Sequence, residues 1–261
     1  MSCFTSFFQL GKRLLRDDQC YHARLTSTSS VTNVLQVIKD KLGQGTEVFR
    51  ESCFGAFLEL KTIQFSGGVV HHMLQRQIVC DDKNVMEFDF NGVGARFDRK
   101  AFAMVTGLNC GQRPGFHALS GLKDDLWVKY FGKAQGPLTQ HEFQKKFAAI
   151  KFTYDNADDI ADNAKLCMFY LLEMALLAGD RTRVVKTDNL NIIANAELCA
   201  TYPWGNLVYD MTIASLRSKI QPGKKVGSYT LYGFPLAFQV NMYKFLCLFH
   251  LEFYIRRCEL T

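Results

Sequence analysis

The stretch V-M-E-F-D-F-N-G-V-G-A-R-F-D-R-K-A-F-A-M-V-T-G, residues 85–107, decides the fold class. From Val85 to Phe90, Met86, Phe88 and Phe90 alternate with Glu87 and Asp89, the period of a strand with one buried face. Asn91-Gly92 supplies a tight-turn dipeptide, and Val93 to Phe97 forms the return arm. The period then changes. Asp98 is placed to cap a helix from Arg99 to Thr106, which Gly107 ends. This stretch predicts one small β-hairpin near residues 85–97, handed directly to a helix.

On either side the pattern is helical. Val31, Val34, Leu35, Ile38 and Leu42 fall on one helical face, after serines suited to an N-cap and before Gly43 as a stop. Short helices are expected over 49–58 and 67–77, with Gly67-Gly68 turning into the latter. Thr139-Gln140-His141-Glu142 reads as a capping box opening a helix that carries Phe143, Phe147 and Ile150. Long helices are expected over 157–178, 189–200, 205–219 and 234–250, with Tyr202-Pro203-Trp204-Gly205 as a corner and Pro222-Gly223 closing the third. The sequence has no internal repeat and no low-complexity linker. The expectation is a mainly α chain: a poorly ordered leader over 1–25, one helical domain over 26–250 and a divergent tail over 251–261.

Composition agrees with a packed interior. Of 261 residues, 48% are hydrophobic, 21% charged and only 5 are Pro, which excludes a disordered, collagen-like or disulfide-stapled chain. The net charge of +6 is scattered in small groups such as Lys12, Arg13 and Arg16, Arg181, Arg183 and Lys186, and Lys224 and Lys225. These read as solvated surface rather than a phosphate track. The nine cysteines are odd in number and form no C-x-x-C pair, so they read as free thiols, with Cys167 and Cys247 inside apolar runs. With no signal peptide at the start, the expected setting is reducing, nuclear or cytoplasmic rather than secreted. The apolar runs Leu166–Ala178, holding Glu173, and Leu231–Ile255, holding Pro235, Asn241, Lys244, His250 and Glu252, read as core helices rather than membrane spans.

The candidate chemistry resolves into structural roles. Asn109-Cys110-Gly111 resembles the Asp-Cys-Gly nucleophile segment of Ulp-type cysteine proteases, but positions 104–106 are Met, Val and Thr, without the upstream Gln of an oxyanion hole. It reads as a helix-ending turn. His71 and His72 are adjacent and diverge around a helix, and His117 and His141 have no ligand at metal spacing. Asn91-Gly92-Val93-Gly94 fails as a dinucleotide fingerprint because Phe97 stands at the third glycine position, and no P-loop occurs. Asp155, Asp158, Asp159 and Asp162 fit the start of a helix. The 22 Phe, 10 Tyr and 2 Trp recur at helical spacings and read as core. No catalytic, cofactor-binding or metal-binding residue is assigned, and no cofactor or small-molecule substrate is expected.

Five segments in order carry a family resemblance: F-R-E-S-C-F-G-A-F-L-E-L from Phe49, F-D-F-N-G-V-G-A-R-F from Phe88, A-F-A-M-V-T-G-L-N-C-G from Ala101, Y-P-W-G-N-L-V-Y from Tyr202 and Y-G-F-P-L-A-F-Q-V from Tyr232. Spanning about 49–240, the chain resembles the plant domain of unknown function nineteen eighty-five, found in transposon-derived genes where it often precedes an Ulp-type, SUMO-protease-like domain. The third and fifth segments are also similar to the plant mobile domain. The resemblance implies no established activity and offers no catalytic residue to carry over. After Val240 the chain leaves the family pattern, which reads as a divergent or mis-joined end, and no protease region follows. The expected function is therefore a non-catalytic protein-interaction or accessory domain of an Ulp-type protease-associated protein. Accessory nucleic-acid binding is the alternative, and no membrane partner is expected. The surface singled out for partner recognition is Phe88 to Gly111 with the Trp204 corner, although Gly107, Trp204 and Gly233 fit equally as fold determinants.

Overall fold

The computed structural model describes residues 11–61 and 64–248. Strand β1 (Arg24–Ser27) leads into α1 (Val31–Leu42), α2 (Thr46–Arg50) and α3 (Gly67–Leu74). The hairpin β2 (Met86–Phe90) and β3 (Val93–Phe97) passes to α4 (Arg99–Thr106). Then come α5 (Phe116–Leu119), α6 (Asp125–Phe131), α7 (Gln140–Ala149), α8 (Ala157–Leu171), α9 (Thr187–Ala194), α10 (Ala196–Thr201) and α11 (Trp204–Arg217). Strand β4 (Ser228–Leu231) precedes α12 (Pro235–Leu248). The fold is mainly α, with the expected antiparallel hairpin at β2–β3.

Residues 85–107 adopt the structure their pattern predicts. Met86, Phe88 and Phe90 are fully buried on one face of β2, and Asn91 and Gly92 both take positive φ in the turn, as a two-residue hairpin connection requires. Asp98 accepts the Ala101 N–H at 2.9 Å and caps α4. Against this unit pack α11 and α12, so that Phe97, Phe102, Tyr209 and Phe238 meet ring to ring. Each such buried aromatic contributes on the order of 1.5–3 kcal/mol relative to exposure.

A second aromatic cluster forms where α7 crosses α8. Phe147 and Tyr170 stack with centroids 3.9 Å apart and planes 11° from parallel, and Phe143 touches Phe169. Helix α8 packs on α1, α2 and α9, with Leu166, Cys167, Phe169 and Leu171 fully buried. All these residues belong to one continuous core.

Several expectations change in detail. The helix read over 157–178 ends as α helix at Leu171 and continues as a π turn, Leu172–Leu176, in which the Leu177 N–H reaches the Leu172 carbonyl at 2.7 Å. The widened turn brings the fully buried Glu173 carboxylate to Arg183 and Asn189, a long-range polar demand that hydrophobic periodicity does not encode. The helix read over 189–200 is two, broken at Asn195, whose side chain accepts the Leu198 N–H and restarts the chain as α10. The segment 49–58 splits into α2 and a 3-10 turn, Gly55–Glu59. Ser30 precedes α1 without a side-chain cap bond, while its neighbour Ser29 donates to the Ala175 carbonyl at 2.7 Å.

Strands β1 and β4 form a parallel pair that sequence patterning does not signal, because R-L-T-S and S-Y-T-L are too short to establish a period. Their pairing ties part of the expected leader to the body. Leu15 is buried, the Leu14 N–H donates to the Gln77 carbonyl at 2.8 Å, and the Val79 N–H donates to the Lys12 carbonyl. Residues 1–10 and the tail read over 251–261 lie outside the described residues. Among the described residues no helix is long and apolar enough to cross a membrane.

Candidate functional site

The Asn109-Cys110-Gly111 turn is stitched to the start of α11. The Asn109 carbonyl accepts the Gly205 N–H at 2.8 Å, the Asn109 side-chain amide donates to Thr201 O at 2.7 Å, and the Asn206 amide donates to Gly111 O at 2.7 Å. Gly205 is required by close approach: a Cβ there would lie 2.4 Å from Cys110 Sγ and 2.8 Å from Asn109 O. Burial pushes the Cys110 thiol up from its ordinary value, Arg99 opposes this, and Asp210 adds to it. Arg99 is itself held by Asp210 at 2.6 Å and Asn206 at 3.1 Å. Among the described residues the charges acting on this thiol are a guanidinium and a carboxylate, and burial keeps its pKa raised. Trp204, at the corner, is buried and donates its indole N–H to Cys199 O at 3.0 Å.

Among the described residues, His22, His71 and His72 meet at one cavity, and His117 and His141 lie outside its lining. His71 is 5% exposed and spends both ring nitrogens: Nε2 donates to the Tyr21 carbonyl at 2.8 Å, so Nδ1 accepts from the Tyr229 hydroxyl at 2.7 Å. Desolvation by burial lowers its pKa and keeps it neutral. His117 and His141 lie on α5 and α7. The acidic group at the start of α8 divides. Asn156 caps the helix through the Asp159 N–H, while Asp159 and Asp162 each take the Lys129 ammonium at 2.8 Å. Among the described residues no three His, Cys, Asp or Glu side chains are grouped to hold a metal ion.

Beside a hollow lined by Lys39, Leu42, Thr46, Arg50, Leu58 and Glu59, two further concave surfaces stand out among the described residues. A polar cavity of about 430 Å³ lies where β1 meets α3, walled by Tyr21, His22, Arg24, His71, His72 and Gln75, with no carboxylate in its lining. Gln75 Oε1 accepts the Tyr21 N–H at 2.7 Å, and the buried Tyr21 hydroxyl has no hydrogen-bond partner. Donors and cations in the wall suit an anion or another acceptor-rich group.

The other is an apolar groove of about 150 Å³ between the 3-10 turn at 55–59, α4 and the start of α12, lined chiefly by Phe57, Leu60, Val105, Phe234, Leu236 and Val240. Its hydroxyl, Thr106 Oγ1, donates within α4 to Phe102 O at 2.9 Å, leaving the groove without an unsatisfied polar group of its own. Two exposed lysines flank the lining in sequence: Lys61 after Leu60, and Lys244 one turn beyond Val240. Sequence patterning singles out part of one wall, in Phe88–Gly111, but not the others. The groove is assembled from three segments, 56–60, 105–106 and 234–240, separated by 45 and 128 residues, and no local pattern marks it.

A family model described as Domain of unknown function (DUF1985) matches residues 74–215, just over half the chain. The matched range contains the resemblance segments at Phe88, Ala101 and Tyr202, while those at Phe49 and Tyr232 flank it. No curated protein and no solved structure matches the chain.

Proposed function

Because the chain belongs to the DUF1985 family, whose description carries no activity, function has to be argued from surfaces, and we propose a non-catalytic protein-interaction domain, the accessory part of a transposon-derived Ulp-type protease system. The observation that carries this reading is the apolar groove between the 3-10 turn, α4 and α12. Its occupant is an acidic, amphipathic segment of a partner protein. An apolar side chain enters between Val105 and Val240, and carboxylates answer Lys61 and Lys244. The chemistry around Cys110 supports the non-catalytic half of the reading, since its neighbours leave the thiol protonated. A nuclear or cytoplasmic setting is part of the same proposal, supported by the free thiols among the described residues.

Selection of a random peptide library on the full chain tests it. The expected binders carry Leu or Phe beside Asp or Glu, lose affinity by at least about tenfold on Val105→Glu, and weaken with salt. A selection that yields only peptides indifferent to Val105→Glu, with the variant folded by circular dichroism, overturns the reading.

A second reading, accessory nucleic-acid binding, draws on one observation: the polar cavity has Arg24 and two further histidines beside His71 and no carboxylate. Retention on DNA that falls steeply with salt and drops on Arg24→Ala would support it. Negligible retention at low salt would remove it.

A further inference from the structure

Cys53 and Cys199 stand 146 residues apart in sequence, yet their sulfurs are 3.9 Å apart. Cys53 lies in the turn between α2 and the 3-10 turn, and Cys199 lies on α10. The Cys53 S–H also reaches the Cys199 carbonyl at 3.5 Å, an oxygen already taken by the Trp204 indole N–H. Both backbones are held. The Phe49 carbonyl accepts the Ser52 N–H and hydroxyl, and a Cβ at Gly55 would lie 1.8 Å from Arg50 O, so the turn carrying Cys53 is closed tightly on itself. Cys199 is fixed by the bond from its own N–H to Asn195 O at 2.8 Å.

We propose that Cys53 and Cys199 form an oxidation site, closing to a disulfide under a hydroperoxide. The sulfurs are already at contact distance, and a bond of about 2.05 Å requires them to approach by less than 2 Å, within the reach of side-chain rotation. Cys53 is half-buried and Cys199 is buried, so the pair meets a small oxidant and excludes a large one. Either sulfur can donate to the other across this contact, and the arrangement with the proton on Cys53 is the one that leaves Cys199 free to react. That hydrogen bond, with Lys165 nearby, favours the thiolate at Cys199. The Cys199 thiolate attacks one oxygen of hydrogen peroxide, breaking the O–O bond and releasing hydroxide, and leaves a sulfenic acid. Cys53 sulfur then attacks Cys199 sulfur, loses its proton to that hydroxide and expels the sulfenic oxygen as a second hydroxide, which takes up the proton released when Cys199 ionised. Two thiols and one peroxide give one disulfide and two waters, the sulfurs oxidised by two electrons and the peroxide reduced by two. The new bond would pin the 51–55 turn to α10 beside Trp204.

The test uses the full reduced chain, treated with hydrogen peroxide, alkylated with iodoacetamide while folded and mapped as peptides without reduction. The expected product is a peptide pair joined through Cys53 and Cys199, lighter by two hydrogens and separated again by dithiothreitol. Because the two sulfurs are preplaced, it should exceed any other pairing by more than about tenfold. It should be absent from Cys53→Ser. If Cys53 and Cys199 are recovered unlinked from folded protein whose exposed Cys247 has been oxidised, the proposal is wrong. A cross-link that forms only after denaturation overturns it equally. Both outcomes are read on the unmodified chain, so neither depends on a variant folding.

Discussion

Arg183 reaches the carboxylate of Glu173 at 2.9 Å, although Glu173 is fully buried in the π turn after α8. Asn189 holds the other carboxylate oxygen at 2.7 Å. Gln140 ties the same turn to α7, donating to Glu173 O at 2.6 Å and Leu177 O at 3.1 Å while accepting the Gly179 N–H at 3.0 Å. A carboxylate without water is tolerated only while every oxygen is engaged. Burial still outweighs these partners and pushes the Glu173 pKa up.

Removing Arg183 therefore strands a buried charge. Arg183→Ala should cost about 3–5 kcal/mol at neutral pH, measured by urea unfolding. A carboxyl whose folded pKa lies above its unfolded value favours the folded state at low pH and loses that contribution as pH rises through the folded value. The deficit of Arg183→Ala should accordingly shrink between pH 7 and pH 5. A deficit that is constant across that window would mean Glu173 does not carry the effect.

His71 has the opposite linkage. Burial lowers its pKa, His22 lowers it further, and its bond to the Tyr21 carbonyl only partly offsets them. Tyr21 and Tyr229 are the other groups facing the ring. A histidine kept neutral in the fold contributes fully above its unfolded pKa of 6.5, and the contribution is lost as pH falls below that value while only the unfolded chain takes up a proton. Stability should fall with acidification by up to about 1.4 kcal/mol per pH unit from this residue, and His71→Gln should flatten that slope. Parallel curves for parent and variant would refute the assignment.

Gly205→Ala places a methyl 2.4 Å from Cys110 Sγ and 2.8 Å from Asn109 O, where the second neighbour is backbone and cannot rotate away. Overpacking of this kind costs about 1–3 kcal/mol. Cys110→Ser should change stability far less, and Cys110→Ala in the Gly205→Ala background should recover part of the loss, because it removes one of the two clashes. Thermal melts of the three variants decide this.

How much of this was legible in the sequence depends on how local the determinant is. The hairpin, the Asp98 cap and the Thr139–Glu142 capping box lie within a few residues and fold as read: Glu142 Oε2 accepts the Thr139 N–H at 2.8 Å, and Thr139 Oγ1 accepts the Glu142 N–H at 3.3 Å. Thr139→Ala should cost about 1 kcal/mol, checked by denaturant midpoint, for the same local reason. The π turn, the β1–β4 pair and both concave surfaces depend on partners far along the chain. Glu173 stands out in its apolar run as an anomaly, but nothing in the run names Arg183 or Asn189 as the groups that resolve it. The groove is harder still, since Leu60, Val105 and Val240 are individually unremarkable aliphatic residues.

The acidic group at α8 gives a last discriminating case, because carboxylates grouped at a helix start suit either a cation or an internal base. Asp159 and Asp162 share one ammonium, Lys129 Nζ, at 2.8 Å each, and that lysine comes from α6. The lysine thus occupies the place a divalent ion would take and clamps α6 to α8. In the parent, calcium should leave the melting temperature unchanged, since binding would have to displace a tethered cation. Lys129→Met keeps the apolar stem and removes the charge both carboxylates share, leaving Lys165, 3.4 Å from Asp162, as the remaining cation. The variant should lose under about 1 kcal/mol, as partly exposed ion pairs do, and should be stabilised by millimolar calcium where the parent is not. A parent that calcium stabilises as strongly as the variant would show that the lysine is not the counter-ion of this pair.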